Sequence, residues 1–189
     1  MKVAVRAAFV LIIFLEILGL FVFPSVVSDF TWLGLIVTAA FAWGIMELFR
    51  LSAPVLWITF AATVLDAASA LFELYSRIES WDLWIHVLGG AIIAMGGLEI
   101  VLRALKKDHI AVRQQTPFVI GAVYLFTATM GFLYEFWEYL VDKLQYGYPK
   151  SLVSAYDSVE DQLFNLLGAT LVLAVYCFWR AKLRRRALR

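Results

Sequence analysis

Three short stretches of the chain bring acidic, imidazole and amide side chains together at spacings of three or four residues. On an α-helix these spacings place the side chains of one stretch on one face. Carboxylates combined with one imidazole and one amide oxygen suit a divalent cation such as Mg²⁺, Mn²⁺, Ca²⁺, Fe²⁺ or Zn²⁺, and they do not suit a soft-metal site. The candidate metal ligands are Asp82, His86, Glu135, Glu138, Asp157, Asp161 and Asn165.

Structural explanations of the same residues compete with a metal site. Carboxylates in an apolar setting can instead share protons within a hydrogen-bonded network, because close like charges oppose ionisation. Asp82 and Asp157 also suit helix N-caps, and Glu160 stands at capping-box spacing from Asp157. His86 taken alone is typical of a satisfied core histidine. Three further acids are second-choice members of the site, namely Asp66, Glu73 and Asp142.

The stretches lie beside or within long apolar runs. The chain of 189 residues is 63% hydrophobic with a mean hydropathy of +0.83, which exceeds the apolar content of ordinary soluble domains. Six runs approach the roughly 20 helical residues that cross a bilayer. We therefore predict one all-α domain over residues 1–189, a polytopic transmembrane bundle of six helices. Its predicted spans are about 7–24, 31–49, 54–75, 81–102, 117–140 and 160–179.

The first apolar run follows Lys2 and Arg6 and in this respect resembles a signal peptide. We keep it as a span because the run is long, Glu16 interrupts it, and no A-x-A-like cleavage site follows. Cys177 is the only cysteine, which excludes an intramolecular disulfide and argues against a thiolate metal site. Aromatic residues at the outer ends of the spans, Tyr134 among them, are expected in an interfacial belt in contact with membrane lipids. No nucleic-acid-binding motif is present.

The basic residues are distributed unevenly between the two ends of these spans. Two precede the first span, one follows the second, four follow the fourth and six lie in the C-terminal tail, which makes thirteen on one side against three on the other. By the positive-inside rule, both termini are expected in the cytoplasm, with the spans in the cytoplasmic (inner) membrane. Near this basic side, Glu47 is expected to pair with Arg50. Glu99 is expected to pair with Arg103 in the same way.

The same topology collects acids at the opposite, extracytoplasmic side. The fourth span enters there near Trp81, so His86 lies roughly 6–8 Å below that entry at about 1.5 Å rise per residue. Glu135 in the fifth span and Asn165 in the sixth reach a similar depth, so distant parts of the sequence converge at one level of the bilayer. Asp66 lies deeper, and Glu73, seven residues on, is expected on the same helix face.

The spacing of these residues resembles a known family. The motifs are Trp81-Asp82-x3-His86, Glu135-x2-Glu138 and Tyr156-Asp157-Ser158-x2-Asp161-x3-Asn165-x2-Gly168-Ala169. They are similar to those of the YjdF-like small bacterial and archaeal membrane proteins and, more distantly, of VanZ-like proteins, over Asp66 to Ala169. The VanZ-like group is associated with glycopeptide-antibiotic tolerance. The resemblance implies that these positions form a site, and it names no reaction.

Three functions are compatible with such a site. The first is a metal-dependent membrane enzyme acting on a lipid or lipid-linked envelope precursor, with Glu138 as general base and the metal activating water or a phosphoryl or acyl oxygen. The second is a proton- or cation-coupled transporter, for which Asp66, Glu16 and Glu99 are the only inward stepping stones. The third is a non-catalytic membrane scaffold. A non-helical loop is expected at Tyr146–Ser154, where it could cover the site.

Overall fold

The described parts of the chain are helices joined by turns. In a computed structural model that describes residues 2–23, 29–107, 116–148 and 155–187, these residues contain no β-strand. The helices are α1 (Lys2–Val22), α2 (Asp29–Leu48), α3 (Ala53–Leu71), α4 (Leu74–Arg77), α5 (Trp81–Lys107), α6 (Thr116–Tyr146) and α7 (Ala155–Ala187).

Six of these helices are long and apolar enough to cross a membrane, whereas α4 has only four residues. This confirms the predicted all-α polytopic bundle. An even number of spans returns the chain to the membrane face from which it started. We call this face the basic face, defined by the start of α1 and the ends of α2 and α5. The opposite face, where α5 and α7 begin, is the acidic face.

The third span ends earlier than the sequence predicts. α3 has Pro54 in its first turn, as expected, but it ends at Leu71, although the predicted span continues to residue 75. Glu73 adopts a left-handed backbone conformation, with a φ of 55°, and precedes the short α4. The expectation that Asp66 and Glu73 share one helix face is therefore wrong. Instead, the Glu73 carboxylate lies 3.1 Å from Arg77 at the surface.

One of the two ion pairs expected near the basic face is present. Glu99 pairs with Arg103, as predicted. Glu47 pairs with Arg6 at 2.6 Å rather than with Arg50, so that prediction is wrong. The reason is tertiary: α1 begins beside the end of α2, which brings the Arg6 side chain across to Glu47.

α5 and α7 form the most extensive helix pair, with their backbones in direct contact. A Cβ atom on Gly90 would overlap the backbone carbonyl of Asn165, and a Cβ atom on Gly168 would overlap the backbone carbonyl of Val87. Small residues allow such an approach between membrane helices. α6 completes this group, because a Cβ atom on Gly131 would overlap the side-chain amide of Gln162 and come close to that of Asn165.

Two clusters of buried apolar residues lie in the half of the bundle nearer the basic face, and a smaller one of Trp32, Leu35 and Ala67 lies between α1, α2 and α3 nearer the acidic face. Between α5, α6 and α7 the cluster consists of Ala94, Leu105, Val119, Val123, Ala169 and Leu173. A second cluster joins α1, α2, α3 and α5 and includes Phe9, Met46, Leu51 and Ile92. Polar side chains that lie beyond these clusters, toward the acidic face, therefore rest on an apolar floor.

Candidate metal centre

Asp82, His86 and Asp161 form the one group of potential metal ligands found among the described residues. One ligand atom from each residue lies within 4.8 Å of the other two. The Nε2 atom of His86 is 3.7 Å from Oδ1 of Asp82 and 3.4 Å from Oδ1 of Asp161. Ligand atoms that share a metal at about 2.1 Å lie about 3.0–3.4 Å apart, depending on the coordination geometry. The three atoms are therefore close to the spacing that a cation requires.

Two of these side chains are buried, and the third reaches the end of the bundle. His86 is 5% exposed and Asp161 is 3% exposed, whereas the Asp82 side chain is 46% exposed. Asp82 also stands in the first turn of α5, where the helix dipole favours a negative charge. The group is thus sheltered from one side and open to the acidic face past Asp82.

The local sequence explains how these side chains meet. Asp82 and His86 lie one helical turn apart on α5, and Asp161 and Asn165 lie one turn apart on α7. All four side chains are short, and they reach one another only because the two helix backbones touch at Gly90. The helix crossing that the glycines permit is therefore what assembles the group.

Asn165 contacts the other nitrogen of the imidazole ring. Its Nδ2 atom lies 3.3 Å from Nδ1 of His86, and Asn165 is 3% exposed. The ring therefore has the amide at Nδ1 and the two carboxylates at Nε2. In this orientation the amide N–H donates to Nδ1, and Nε2 carries the proton of a neutral ring. Exchanging the amide oxygen and nitrogen would make Nδ1 the donor and leave the Nε2 lone pair available for a metal.

Tyr134 and Glu138 extend the group along α6. The Tyr134 ring meets the His86 ring edge-on, with the ring centroids 6.0 Å apart. The Tyr134 hydroxyl interacts with Glu138. We call two residues electrostatic neighbours when they are close enough for their charges to interact, and Glu138 is an electrostatic neighbour of Glu135 and Asp82. The sequence predicts Tyr134 in an interfacial belt, and that prediction does not include its contact with His86. Its four-residue spacing from Glu138 was the available signal.

Buried carboxylate oxygens in this group lack hydrogen-bond partners within the described part of the chain. They are both oxygens of Glu135, which is 7% exposed, and Oδ1 of Asp161. Ser158 lies beside Glu135 without forming a well-aligned hydrogen bond, and the approach of His86 to Asp161 is likewise not aligned for one. Buried acceptors without partners are costly. The arrangement is therefore suited to receiving a cation or protons.

The group also carries excess negative charge. Within the described ranges, no Lys or Arg forms an ion pair with Asp82, Glu135, Glu138 or Asp161. Asp157, in the first turn of α7, is an electrostatic neighbour of Asp82 and of His86 and adds a further carboxylate. One imidazole cannot compensate this number of carboxylates if they are ionised.

Asp66 on α3 joins the group through an aromatic hydroxyl. The Tyr75 hydroxyl donates a hydrogen bond of 2.6 Å to Oδ1 of Asp66, which is also an electrostatic neighbour of Asp82. Burial of its hydroxyl end raises the pKa of the Tyr75 phenol, and the negative charge of Asp66 raises it further. Tyr75 therefore remains protonated and acts as a donor to Asp66.

Glu16, which the sequence left unexplained, lies next to Asp66. It is 4% exposed, and the two carboxylates are electrostatic neighbours. Neither oxygen of Glu16 has a hydrogen-bond partner among the residues that the structure describes. The packing of α1 on α3 thus adds a second pair of acids beside the main group.

The remaining second-choice acids lie apart from this centre. Glu73 is at the surface with Arg77, and Asp142 is buried in α6 two turns beyond Glu135. The loop expected at Tyr146–Ser154, which could cover the site, begins after α6, since α6 extends to Tyr146. Residues 149–154 of this loop lie outside the described residues.

The chain matches a family model along almost its whole length. The family is described as "Predicted membrane protein (DUF2238)", and the match covers residues 3–182. The matched range includes every residue of the candidate metal centre. Comparison with curated proteins and with solved structures gave no significant match.

Proposed function

We propose that this chain, which belongs to the DUF2238 family of predicted membrane proteins, binds a divalent cation at the acidic face of its helix bundle. Asp82, His86 and Asp161 would supply the ligand atoms. One observation carries the proposal: three suitable ligand atoms lie within 4.8 Å of one another. The buried carboxylates beside them lack a basic partner among the described residues. A cation would compensate charges that the helices otherwise leave uncompensated.

The other candidate ligands take supporting roles in this proposal. Asn165 would orient His86 by accepting the Nδ1 proton through its amide oxygen, which is the usual arrangement for a metal-bound histidine. Glu135 and Asp157 are electrostatic neighbours of each other and of Asp82, and they would complete the coordination directly or through water. The resulting oxygen-rich set with one imidazole suits Mg²⁺, Mn²⁺, Ca²⁺, Fe²⁺ or Zn²⁺.

We further propose that the site acts on a lipid or lipid-linked envelope precursor of the extracytoplasmic leaflet. The cation would polarise a phosphoryl or acyl oxygen or activate water. Glu138, held by Tyr134 beside the ligands, would accept the proton as general base. The lateral surface of α6 supports a membrane substrate, because Phe132 and Phe136 flank Glu135 and are 68% and 51% exposed.

The orientation and the finer relationship belong to the same proposal. The positive-inside distribution supports a cytoplasmic membrane protein with both termini inside. The similarity of the Asp82/His86 and Asp161/Asn165 motifs to YjdF-like and, more distantly, VanZ-like proteins supports treating these positions as one site.

A proton- or cation-coupled carrier is the second candidate. The pair of buried Glu16 and half-buried Asp66 favours it, because this pair continues the polar group sideways from Asp82. A path to the basic face is opposed by the apolar cluster between α5, α6 and α7. Glu99, the next acid in that direction, is already engaged by Arg103.

The test is elemental analysis of the full chain, stripped of metal and re-equilibrated with each of the five cations, with thermal stability recorded alongside. The wild-type protein is expected to take up one of them near-stoichiometrically and to be stabilised. His86→Ala and Asp161→Ala are expected to insert normally and to lose the metal. Glu73→Gln removes an exposed acid at the same face and is expected to keep wild-type metal content.

Wild-type metal content in His86→Ala or Asp161→Ala would rule out the proposed ligand set. The absence of uptake by the wild-type protein would instead leave a proton-sharing carboxylate cluster, and the carrier and scaffold functions would then lead. Ion flux in liposomes separates those two, since only a carrier moves ions. A metal-loaded protein without flux would direct the search to phospholipid and lipid-linked substrates.

A further inference from the structure

A second polar site lies at the basic face, where the start of α1 meets the end of α2. A cavity of about 470 Å³, including the part open to solvent, occupies this position. It is lined by Lys2, Arg6, Met46, Glu47, Arg50, Leu51 and Leu56. Three cations therefore face one acid, which leaves an excess of positive charge over an apolar floor.

Arg50 is held in a backbone conformation that favours glycine. Its φ is 51°, and it follows the last turn of α2. The Arg50 N–H donates to the Glu47 carbonyl at 3.1 Å, and the Leu51 N–H donates to the Met46 carbonyl at 3.0 Å. This is the hydrogen-bond pattern of a helix C-terminus at which glycine is the usual residue. An arginine in this position strains the backbone, so the Arg50 side chain lowers the stability of the folded chain relative to glycine.

Neighbouring contacts fix the strained turn from both sides. Nη1 of Arg103 donates to the Phe49 carbonyl at 3.0 Å. The Ser52 N–H donates to Oε2 of Glu99, also at 3.0 Å. The residues on either side of Arg50 are thus anchored to α5, which sets the position from which the guanidinium lines the cavity.

The other two cations retain donors for a ligand. Arg6 is oriented by Glu47, with Nε to Oε1 and Nη2 to Oε2 both at 2.6 Å. A guanidinium has five N–H donors, so the remaining ones on Arg6 stay available. Lys2 and Arg50 form no ion pair with an acid of the described residues.

We propose that this pocket binds a phosphate group, presented either by the headgroup of an anionic membrane lipid or by a soluble phosphate compound. The positive-inside rule explains why basic residues gather at this face. It does not explain why three of them line one cavity or why one occupies a strained, anchored turn. Charge complementarity supplies the reason, because guanidinium and ammonium groups are the usual partners of phosphate oxygens. The site is separate from the metal centre and does not depend on it.

The experiment uses the full chain, delipidated in a neutral detergent and titrated with phosphatidylglycerol, with phosphatidylcholine and with inorganic phosphate. The wild-type protein is expected to bind phosphatidylglycerol more tightly than phosphatidylcholine. Arg50→Gly is the informative variant, because glycine relieves the backbone strain while it removes the cation. Its affinity for phosphatidylglycerol is expected to fall about fivefold, as for the loss of one membrane-facing cation. Its thermal unfolding midpoint is expected to rise by about 2–4 °C.

These opposite shifts separate a binding defect from a folding defect. Lys106→Gln, which removes a cation at the same face outside the cavity, is the matched control and is expected to bind as the wild type does. Phosphatidylglycerol binding that inorganic phosphate cannot displace would support a lipid headgroup, and displacement by inorganic phosphate would support a soluble phosphate. An unchanged affinity in Arg50→Gly, or an equal loss in Lys106→Gln, would overturn the proposal.

Discussion

The two faces of this bundle differ in whether their buried and half-buried acids are paired with basic residues. At the basic face, Glu47 is paired with Arg6 and Glu99 with Arg103. At the acidic face, Glu135 is buried with no basic partner within the described part of the chain. Paired charges neutralise each other, whereas unpaired buried carboxylates require a cation or protons from outside the chain. The contrast fits acids that hold helices together at the basic face and the proposed cation site at the acidic face.

The two faces also differ in how their residues reach one another. The pairs at the basic face use long arginine and glutamate side chains, which adapt to small shifts of the helices. The candidate metal centre uses shorter side chains on α5 and α7, whose backbones are in contact at Gly90 and Gly168. The acidic face is therefore the more sensitive of the two to a change in helix spacing.

A methyl group at the helix crossing tests this difference most strongly. Gly168→Ala should lower the free energy of unfolding by about 1–3 kcal/mol, because its Cβ overlaps the α5 backbone and forces the helices apart. It should also abolish metal uptake while leaving the Arg6–Glu47 pair in place. Denaturant unfolding in detergent and elemental analysis measure the two effects.

The control for this change is Gly121→Ala, which places a methyl group where nothing lies within 4 Å. It should stabilise α6 by about 0.5–1 kcal/mol through helix propensity and should keep the metal. If Gly168→Ala kept full metal content, the site would not depend on contact between the two backbones.

The orientation of His86 provides the next test. Asn165→Ala should weaken metal binding about 10- to 100-fold, because the imidazole loses the partner that fixes its Nδ1. Asn165→Asp retains an oxygen acceptor at this position and should bind within a few-fold of the wild type. Metal titration of the stripped protein measures both affinities. Equal losses in the two variants would indicate that Asn165 acts by packing alone.

Hydropathy predicted the six spans because a bilayer demands about 20 apolar residues in each helix. It did not predict where α3 ends, because the apolar residues that continue to Tyr75 hide the left-handed turn at Glu73. That turn brings the Tyr75 hydroxyl back to Asp66, a contact that no linear pattern contains.

In the candidate site, too, the sequence predicts contacts within one helix and does not predict contacts between helices. Four-residue spacing grouped Asp82 with His86 and Asp161 with Asn165, because such pairs are local to one helix. The His86 ring contacts the Asn165 amide through Nδ1 and the two carboxylates through Nε2. This arrangement depends on how α5 and α7 are rotated against each other, which the spacing does not encode. Glu47 likewise pairs with Arg6 rather than Arg50 because of how α1 packs against α2.

Charge removal should change stability in opposite directions at the two faces. In the metal-free protein, Asp161→Asn should stabilise by about 1 kcal/mol, because it removes a carboxylate from a crowded, buried group. The gain should grow as the pH rises, since more of the neighbouring carboxylates are then ionised. Glu99→Gln should destabilise by about 1 kcal/mol, because Arg103 and the Ser52 N–H lose a charged acceptor.

Denaturant unfolding of the stripped proteins between pH 6 and pH 8 measures both variants. With a saturating metal, the sign for Asp161→Asn should reverse, because the wild type alone gains the binding energy. If both metal-free variants lost stability, the Asp161 carboxylate would have a stabilising partner, and the proposed difference between the two faces would be wrong.

At the basic face the smallest effect is expected for its more exposed ion pair, Arg6 with Glu47. The Arg6 and Glu47 side chains are 49% and 32% exposed, so Arg6→Gln should lower the unfolding free energy only slightly, because solvent screens an exposed ion pair. The cost should shrink in high salt, because the screening length falls from about 10 Å at 0.1 M to about 3 Å at 1 M. Arg77→Gln, in a pair whose side chains are both 66% exposed, is the control and should cost less still. A salt-independent loss for Arg6→Gln as large as that for Glu99→Gln would show that this pair is fixed by packing, and the basic face would then be as sensitive to helix spacing as the acidic face.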